Sequence, residues 1–379
     1  MSDSIQKYSK VIAEINLDNL VYNLEQIRKQ VSPAVVMGVV KADAYGHGVI
    51  PVAKALEKAD VTFFAVARIK EALELKQAGI NGRILIFGRL EAADIEVAIA
   101  NNFRFTLTNP RDLAVINDIA EKSGNPAIIH INIDSGMGRV GIFPKEVDAL
   151  ITGIKKSGNI EFEGIYSHFS TSDTEDKAFA LQQFDTFLQL LRNFSDHQIN
   201  FPVIHMANSG AILDLPDAYK NMFNCVRAGI ILYGCYPSVE TTESVEIKPV
   251  MTVKTKVLEI REMEPNRPVS YGLRYYTKEK TRIAVLPIGY ADGISRIFTN
   301  KGKVMINGNL YPIVGTVTMD QIMVAVDNKV HESDAVIFWG NDNDKILKPS
   351  DVADWVGTIS YELCTSITKR VLKIYKTKQ

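Results

Sequence analysis

Cysteine is scarce in this chain. There are three in 379 residues, Cys225, Cys235 and Cys364, far apart and without a C-x-x-C pair. An odd number at that spacing argues against a disulfide framework and for a reducing compartment, so a cytoplasmic location is expected. Buried, inert thiols are the commoner state for such residues. Long apolar runs are also missing. None approaches the ~20 residues a spanning helix needs, and Met1–Lys10 is polar, with no apolar signal core. No membrane association is expected. Charge of one sign is absent too: 43 basic residues stand against 44 acidic ones, a net of −1. That excludes a general nucleic-acid surface and leaves room only for a local patch. No internal repeat, low-complexity tract or heptad pattern is visible. What remains is a 46% hydrophobic chain, long enough for two domains or for one barrel with an appendage.

The first two-thirds alternates between short apolar runs and helix-like segments. Leu17, Leu20, Val21, Leu24, Ile27 and Val31 form a helical stripe, with Asn16 or Asp18 as its N-cap. Strand candidates follow at Val35–Val40, Phe63–Ala67, Ile84–Phe87, Phe103–Leu107, Ile128–Ile133, Phe162–Ser167, Val203–Met206 and Val226–Leu232. Between them lie helical stretches at Arg68–Ala78, Glu91–Ala100, Asp112–Lys122, Pro144–Ser157 and Asp176–Phe194. Eight strands with intervening helices predict an α/β fold, a closed (β/α)8 TIM-type barrel. A doubly wound open sheet is the alternative, but no G-x-G-x-x-G follows the first strand.

Composition changes near residue 236. Tyr236–Val250 reads as a polar linker, and a strand-rich region follows. Strands are expected in Val250–Ile260, Arg282–Ile288, Val304–Val314, Met319–Val326 and Ala335–Trp339. Asn307-Gly308 is a hairpin signal within the third of these. A short helix, Asp351–Tyr361, closes the pattern. The division expected is a barrel over 1–240 and a β-rich domain over 241–379, with residues 1–12 packing on the second.

Lys41 ends the apolar run that begins at Val35. A lysine at the tip of a strand buried on both faces loses hydration, so its amine tends toward the neutral, nucleophilic form. A Schiff base needs such an amine. The plain alternative is a lysine snorkelling from a strand end. Gly46 and Gly48 allow a tight turn just beyond it. Other ionisable or amide residues stand behind the remaining runs: Arg68, Arg89, Asn109, Asp134 with Arg139, His168, Asn208 with Ser209, and Arg227. Catalytic groups of a barrel gather at these strand ends. Loops are polar in any case, which accounts for several of them. It accounts less well for Lys41, His168 and Arg227. No H-x-H follows the first strand, which counts against a metal-dependent hydrolase barrel.

These motifs, taken in order, resemble the bacterial alanine racemases along almost the whole chain. Lys41-Ala-Asp-Ala-Tyr-Gly-His-Gly48 looks like the family's cofactor-lysine signature. Asp134-Ser-Gly-Met-Gly-Arg139, Ser167-His168-Phe169, Asn208-Ser209 and Arg227-Ala-Gly-Ile230 match in the first part. Val269-Ser-Tyr271-Gly, Gly289-Tyr290-Ala-Asp-Gly293 and Met319-Asp320 match in the second.

The resemblance implies pyridoxal 5'-phosphate (PLP) bonded covalently to Lys41. It implies that Tyr45, Ser209 and Tyr361, with the backbone at Gly229 and Ile230, hold the phosphate, beside Asn208. His168 is placed against the ring and Arg227 opposite its nitrogen. An arginine there cannot accept that nitrogen's proton, so charge spreads less into the ring and reprotonation at the substrate Cα is favoured. Lys41 and Tyr271 are implied as the two acid/base groups, one on each face of Cα. Tyr271 is expected to reach the active site of a partner subunit, making the functional unit a homodimer. Arg139 and the Met319 backbone are implied at the substrate, with Tyr290 and Asp320 beside the access channel. The product, D-alanine, is expected to supply peptidoglycan.

Two positions depart from the family pattern. Many relatives carry a carbamylated lysine where this chain has Asn132. A neutral amide supplies no negative charge to orient Arg139, so a small anion, chloride, is expected between them. Thr318 stands where relatives often have cysteine. Competing readings are a racemase for serine or for a broader set of amino acids, a decarboxylase on a similar plan, and a non-catalytic PLP-carrier protein. The carrier lacks the second domain and Tyr271.

Overall fold

A computed structural model describes residues 9–342 and 345–377. Its first strand, β1 (Ile12–Asn16), takes no part in the barrel that follows. The barrel strands are β2 (Val35–Val39), β3 (Phe63–Val66), β4 (Arg83–Ile86), β5 (Arg104–Leu107), β6 (Ala127–Asn132), β7 (Ile160–Tyr166), β8 (Val203–His205) and β9 (Cys225–Ala228). They pair in parallel in the order β8-β7-β6-β5-β4-β3-β2-β9. Two backbone bonds join the ends of that series, Asn224 N–H to Ile204 O at 3.1 Å and Arg227 N–H to Ala207 O at 2.9 Å. The sheet is therefore closed, and the protein is a (β/α)8 barrel followed by antiparallel β-sheets.

The apolar runs are continuous because a parallel barrel strand is covered on both faces. Every residue of β3 and β6 is buried. Asn16 caps the helix Leu17–Val31 by accepting from Asn19 N–H at 3.0 Å, and Leu20, Leu24, Ile27 and Val31 of that helix are fully buried.

The remaining strands are β10 (Met251–Lys256), β11 (Glu259–Met263), β12 (Thr281–Leu286), β13 (Lys303–Ile306), β14 (Asn309–Pro312), β15 (Ile322–Val326), β16 (Ala335–Asp342), β17 (Lys345–Leu347) and β18 (Leu372–Lys376). One sheet runs β14-β13-β16-β10-β1-β18, with β17 on β16; a second runs β11-β12-β15. Strand β1 pairs antiparallel with β10 and parallel with β18. Just before it, Lys10 O accepts from Thr255 Oγ1 at 2.7 Å and Val11 O from Leu372 N–H at 3.3 Å. Residues 1–8 of the expected N-terminal packing segment lie outside the described residues.

Several expected elements end elsewhere. The run Val226–Leu232 leaves the barrel at Ala228, and Ile230–Tyr233 forms a 3-10 turn. Val250–Ile260 is divided between β10 and β11, which belong to different sheets. The expected helix Asp351–Tyr361 is two helices, Pro349–Val356 and Ser360–Ser366, broken at Gly357, which has a φ of 77°. The hairpin at Asn307-Gly308 forms with φ of 50° and 72°, the left-handed pair such a turn requires.

Candidate active site

The strand tips surround a cavity of about 470 Å³ lined by Lys41, Arg139 and Arg227, together with Tyr45, Tyr166, His168, Asn208, Ser209 and Tyr361. No carboxylate is among its lining residues. Three basic side chains with no carboxylate among the lining make this a receptacle for a multiply charged anion.

Lys41 stands where β2 hands over to an unusual turn. Ala42, Asp43, Ala44 and Tyr45 all have φ between 52° and 54°, a complete left-handed turn built from non-glycine residues. Each such residue costs roughly 1–2 kcal/mol, so outside contacts must hold the turn. Ala42 N–H donates to Glu71 Oε1 at 2.7 Å, and Val49 N–H to Asp43 Oδ1 at 2.7 Å. Asp43 also pairs with Lys373 at 2.6 Å. The tight turn expected at Gly46 and Gly48 thus starts four residues earlier. Burial holds the Lys41 amine below the ordinary lysine range. The charges of Arg139 and Arg227 push the same way, and Glu71 opposes them in part.

Arg227 is buried and meets no carboxylate. Its Nη1 donates to His205 Nδ1 at 3.0 Å and to His205 O at 3.1 Å. Its Nη2 faces Ser167 O at 2.8 Å, His168 Nδ1 at 3.0 Å and Met206 O at 3.0 Å. The Tyr166 ring lies 5.1 Å from the guanidinium carbon. Because the imidazole of His168 accepts from a guanidinium, it is neutral there. Burial, with the charges of Arg227, Arg139 and Lys41, keeps its pKa well below the usual histidine value.

Opposite lies a cradle of hydroxyls. Ser209 Oγ accepts from Gly229 N–H at 3.3 Å and Ile231 N–H at 3.4 Å. The Tyr45 ring is 6.0 Å from that of Tyr361 and 5.0 Å from that of Tyr233. A Cβ at Gly229 would stand 2.7 Å from Tyr45 Oη and 3.6 Å from Ser209 Oγ, filling the cradle. Asn208 contributes through position: its Oδ1 caps the helix Ser209–Asp214 by accepting from Ala211 N–H at 3.0 Å. Hydroxyls and N–H groups at the start of a helical turn suit a phosphate, so the residues present fit a phosphorylated group that also offers a carbonyl to Lys41.

Arg139 reaches the cavity from a loop clamped by Asp134, whose Oδ1 accepts from Gly136 and Gly138 N–H at 3.0 and 3.1 Å. Asn132 lies below it, buried, its amide 3.4 Å from Val140 O. Among the described residues no group of His, Cys, Asp and Glu is arranged to hold a metal, and no helix is long and apolar enough to cross a membrane. Cys225, Cys235 and Cys364 are free and buried. Burial pushes the Cys225 thiol up to about 12.

Four sequence-predicted residues lie away from this cavity. Tyr271, Met319, Tyr290 and Asp320 sit together on the β-rich part, all exposed, and Tyr271 is 76% exposed. Their loops are tied to one another: Thr316 Oγ1 donates to Tyr271 O at 2.6 Å, Tyr290 N–H to Thr318 O at 3.0 Å. Asp320 pairs with Arg370 at 2.9 Å. Sequence reasoning missed Glu71, Tyr166 and His205. Glu71 carried a signal, an acidic residue three positions after Arg68 at the end of an apolar run, where it receives the Arg68 N–H at 3.0 Å.

A barrel with a desolvated lysine at a strand tip, a hydroxyl cradle and an acid-free lining defines an enzyme acting on small anionic molecules. Residues 15–237 match the family model "Alanine racemase, N-terminal domain" and residues 250–375 match "Alanine racemase, C-terminal domain". Alanine racemase 2 of Caldanaerobacter subterraneus subsp. tengcongensis is 41% identical over 366 residues, covering 96% of this chain and 94% of that protein. The alanine racemase of Bacillus anthracis, solved with bound L-Ala-P, superposes with a TM-score of 0.88 at 35% identity, over 98% of this chain and 96% of that one. That of Bartonella henselae, solved with covalently bound pyridoxal phosphate, gives a TM-score of 0.88 at 30% identity, over 97% and 100% of the two chains. The chain belongs to the alanine racemases. Its activity is that of the family, interconversion of the two enantiomers of alanine.

Proposed function

We propose that this chain racemises alanine with PLP held on Lys41, using Lys41 and Tyr271 as opposed acid/base groups. The observation that carries the reading is the lysine with a lowered pKa in a cavity that has three cations and no carboxylate. Lys41 would hold the cofactor covalently. Tyr45, Ser209 and Tyr361, with the N–H groups of Gly229 and Ile230, hold its phosphate. His168 would lie against its ring, and Arg227 would face the ring nitrogen. When bound, the group supplies an electron sink that acidifies the substrate's Cα–H.

The chain's own residues do the rest. Arg139 and the Met319 backbone take the substrate carboxylate, which fixes Cα between two bases. Lys41 Nζ removes or returns the proton on one face, and Tyr271 Oη does so on the other. A phenol with an unperturbed pKa of ~10 needs positive charge nearby to act as a base, and the cavity has it. Tyr271 is 76% exposed and does not line the cavity of its own chain. This supports a homodimer in which Tyr271, Met319, Tyr290 and Asp320 complete the partner's site. A chloride between Asn132 and Arg139 does the work of the missing negative charge. We place the enzyme in the cytoplasm, supplying D-alanine for peptidoglycan, and divide it into domains at about residue 240.

The test is D-alanine formation from L-alanine by the purified protein with PLP, with Lys41→Ala as control. Conversion to an equal mixture, lost in the control, is expected. A protein that binds PLP at Lys41 and leaves L-alanine unchanged would overturn the substrate, and serine is tried next.

A further inference from the structure

Inside the barrel, β7 carries a carboxylate that the chemistry above does not use. Glu163 is buried and lies at one end of a continuous series of contacts that reaches Arg227. Its Oε2 is 3.0 Å from His130 Nε2, and His130 Nδ1 is 3.0 Å from His205 Nε2. His205 Nδ1 is 3.0 Å from Arg227 Nη1. We propose that Glu163 and His130 are positioning residues for Arg227, fixing through His205 the tautomer that a guanidinium can donate to. The proposal deepens the proposed function and rests on its placement of Arg227 at the cofactor ring.

The polarity can be derived from both ends. A guanidinium only donates, so His205 Nδ1 must be bare. A neutral His205 then carries its proton on Nε2 and donates it to His130 Nδ1. His130 in turn carries its proton on Nε2 and donates it to Glu163, which as a carboxylate only accepts. Every member is satisfied in one sense of the series and in no other. His130 and His205 are both fully buried. Burial is the main cause that keeps each pKa below the usual histidine value. Both Nη groups of Arg227 are engaged, and its Nε–H meets no acceptor among the described residues. That donor is left for the ring nitrogen.

The far end of the series is also determined. Glu163 Oε1 accepts from Arg104 Nε at 3.3 Å, Arg104 Nη2 at 3.2 Å and Arg83 Nη1 at 3.5 Å, and Oε2, which faces His130, also accepts from Arg104 Nε at 3.1 Å. Glu163→Gln keeps its single oxygen at the Oε1 place, where three of the four arginine contacts converge. Its amide N–H then points at His130 Nε2, which has to accept. His130 is forced to Nδ1–H and His205 to the same, and two donors collide at Arg227. Asparagine at position 130 offers a way back. Its Oδ1 stands near the place of the imidazole Nδ1 and accepts from His205 whatever residue 163 is.

The experiment is nitrogen NMR of the PLP-loaded enzyme with labelled histidine, of which the chain has only 6, beside steady-state kinetics. In the unaltered protein, His130 and His205 are expected as Nε2–H tautomers. In Glu163→Gln both switch to Nδ1–H, and kcat falls roughly 10- to 100-fold, the range that partners of functional histidines command. KM for alanine stays within about twofold, because the carboxylate is bound elsewhere. The double variant His130→Asn with Glu163→Gln restores the His205 tautomer and recovers most of kcat. Circular dichroism monitors folding. If Glu163→Gln does not fold, the tautomers of the unaltered protein decide: Nε2–H on both His130 and His205 supports the series, and Nδ1–H on either overturns it. Nδ1–H tautomers in the unaltered protein, unchanged tautomers in Glu163→Gln, or a double variant no faster than Glu163→Gln would each overturn the proposal. Failure of the underlying reading looks different: Arg227→Ala then spares activity, whatever the tautomers are.

Discussion

Lys41 and Arg227 are both cations lining one cavity, and the fold treats them in opposite ways. Arg227 is surrounded by acceptors and stays charged; burial brings its pKa down only to about 10. Lys41 has few acceptors and two cations nearby, so its amine sheds its proton more readily. The sign for stability follows. In the folded protein without cofactor the Lys41 pKa lies below its unfolded value, so between the two the unfolded chain binds the extra proton. Stability therefore rises with pH across that window and levels off above about 10.5, the unperturbed lysine range. Lys41→Met, prepared without cofactor, is expected to be more stable than the unaltered protein at pH 7, with the difference closing by pH 10. Urea denaturation at the two pH values measures it. A gap that widens with pH would contradict the assignment. Asn132 allows a second check. In chloride-free buffer the rate should fall, and Asn132→Asp should remove the chloride response by repelling the anion. A rate indifferent to chloride would dismiss the anion site.

Among elements, the Lys41–Tyr45 turn is the one most at odds with intrinsic preference. Ala42 is exposed with a φ of 53°. Ala42→Gly should stabilise by about 0.5–1 kcal/mol, the left-handed strain relieved less the added chain entropy. Gly46→Ala should destabilise by at least about 2 kcal/mol, since its Cβ would come 2.1 Å from the Cys364 carbonyl oxygen. Equilibrium denaturation reads both, and equal effects of the two would refute the account. This turn also shows where the sequence was legible and where it was not. The eight barrel strands could be read because a doubly covered strand is mostly apolar, and Lys41 stood out as the charge at the end of one. The left-handed turn could not, because Ala42 and Ala44 have no propensity for it; Glu71 and Lys373, distant in sequence, hold it. His130 was visible within Ile128–Ile133, but its partner Glu163 lies on the neighbouring strand. Strand β1 was hidden because both of its pairing partners lie in the last third of the chain.

For the whole molecule, the sharpest expectation concerns shared sites. If Tyr271 serves the partner's cavity, Lys41→Ala and Tyr271→Phe proteins should each be nearly inactive alone. Mixed in equal amounts and allowed to exchange subunits, they should recover about a quarter of the unaltered activity, because half the dimers are mixed and each of those has one intact site. A tyrosine acting within its own chain gives no recovery. The exposed set of Tyr271, Leu273, Tyr276 and Met319 gives such an association an apolar centre.

Strand β1 sets a timetable for synthesis. It emerges before every barrel strand, yet its antiparallel neighbour β10 follows the entire barrel and its parallel neighbour β18 follows every other strand described. The barrel's own contacts are complete once β9 has emerged. The sheet that contains β1 stays incomplete until β18 has emerged, and until β10 appears β1 lacks both neighbours. A nascent chain of this protein therefore carries an open β-edge for most of its translation, and truncation of even the final strand leaves that edge bare on one side.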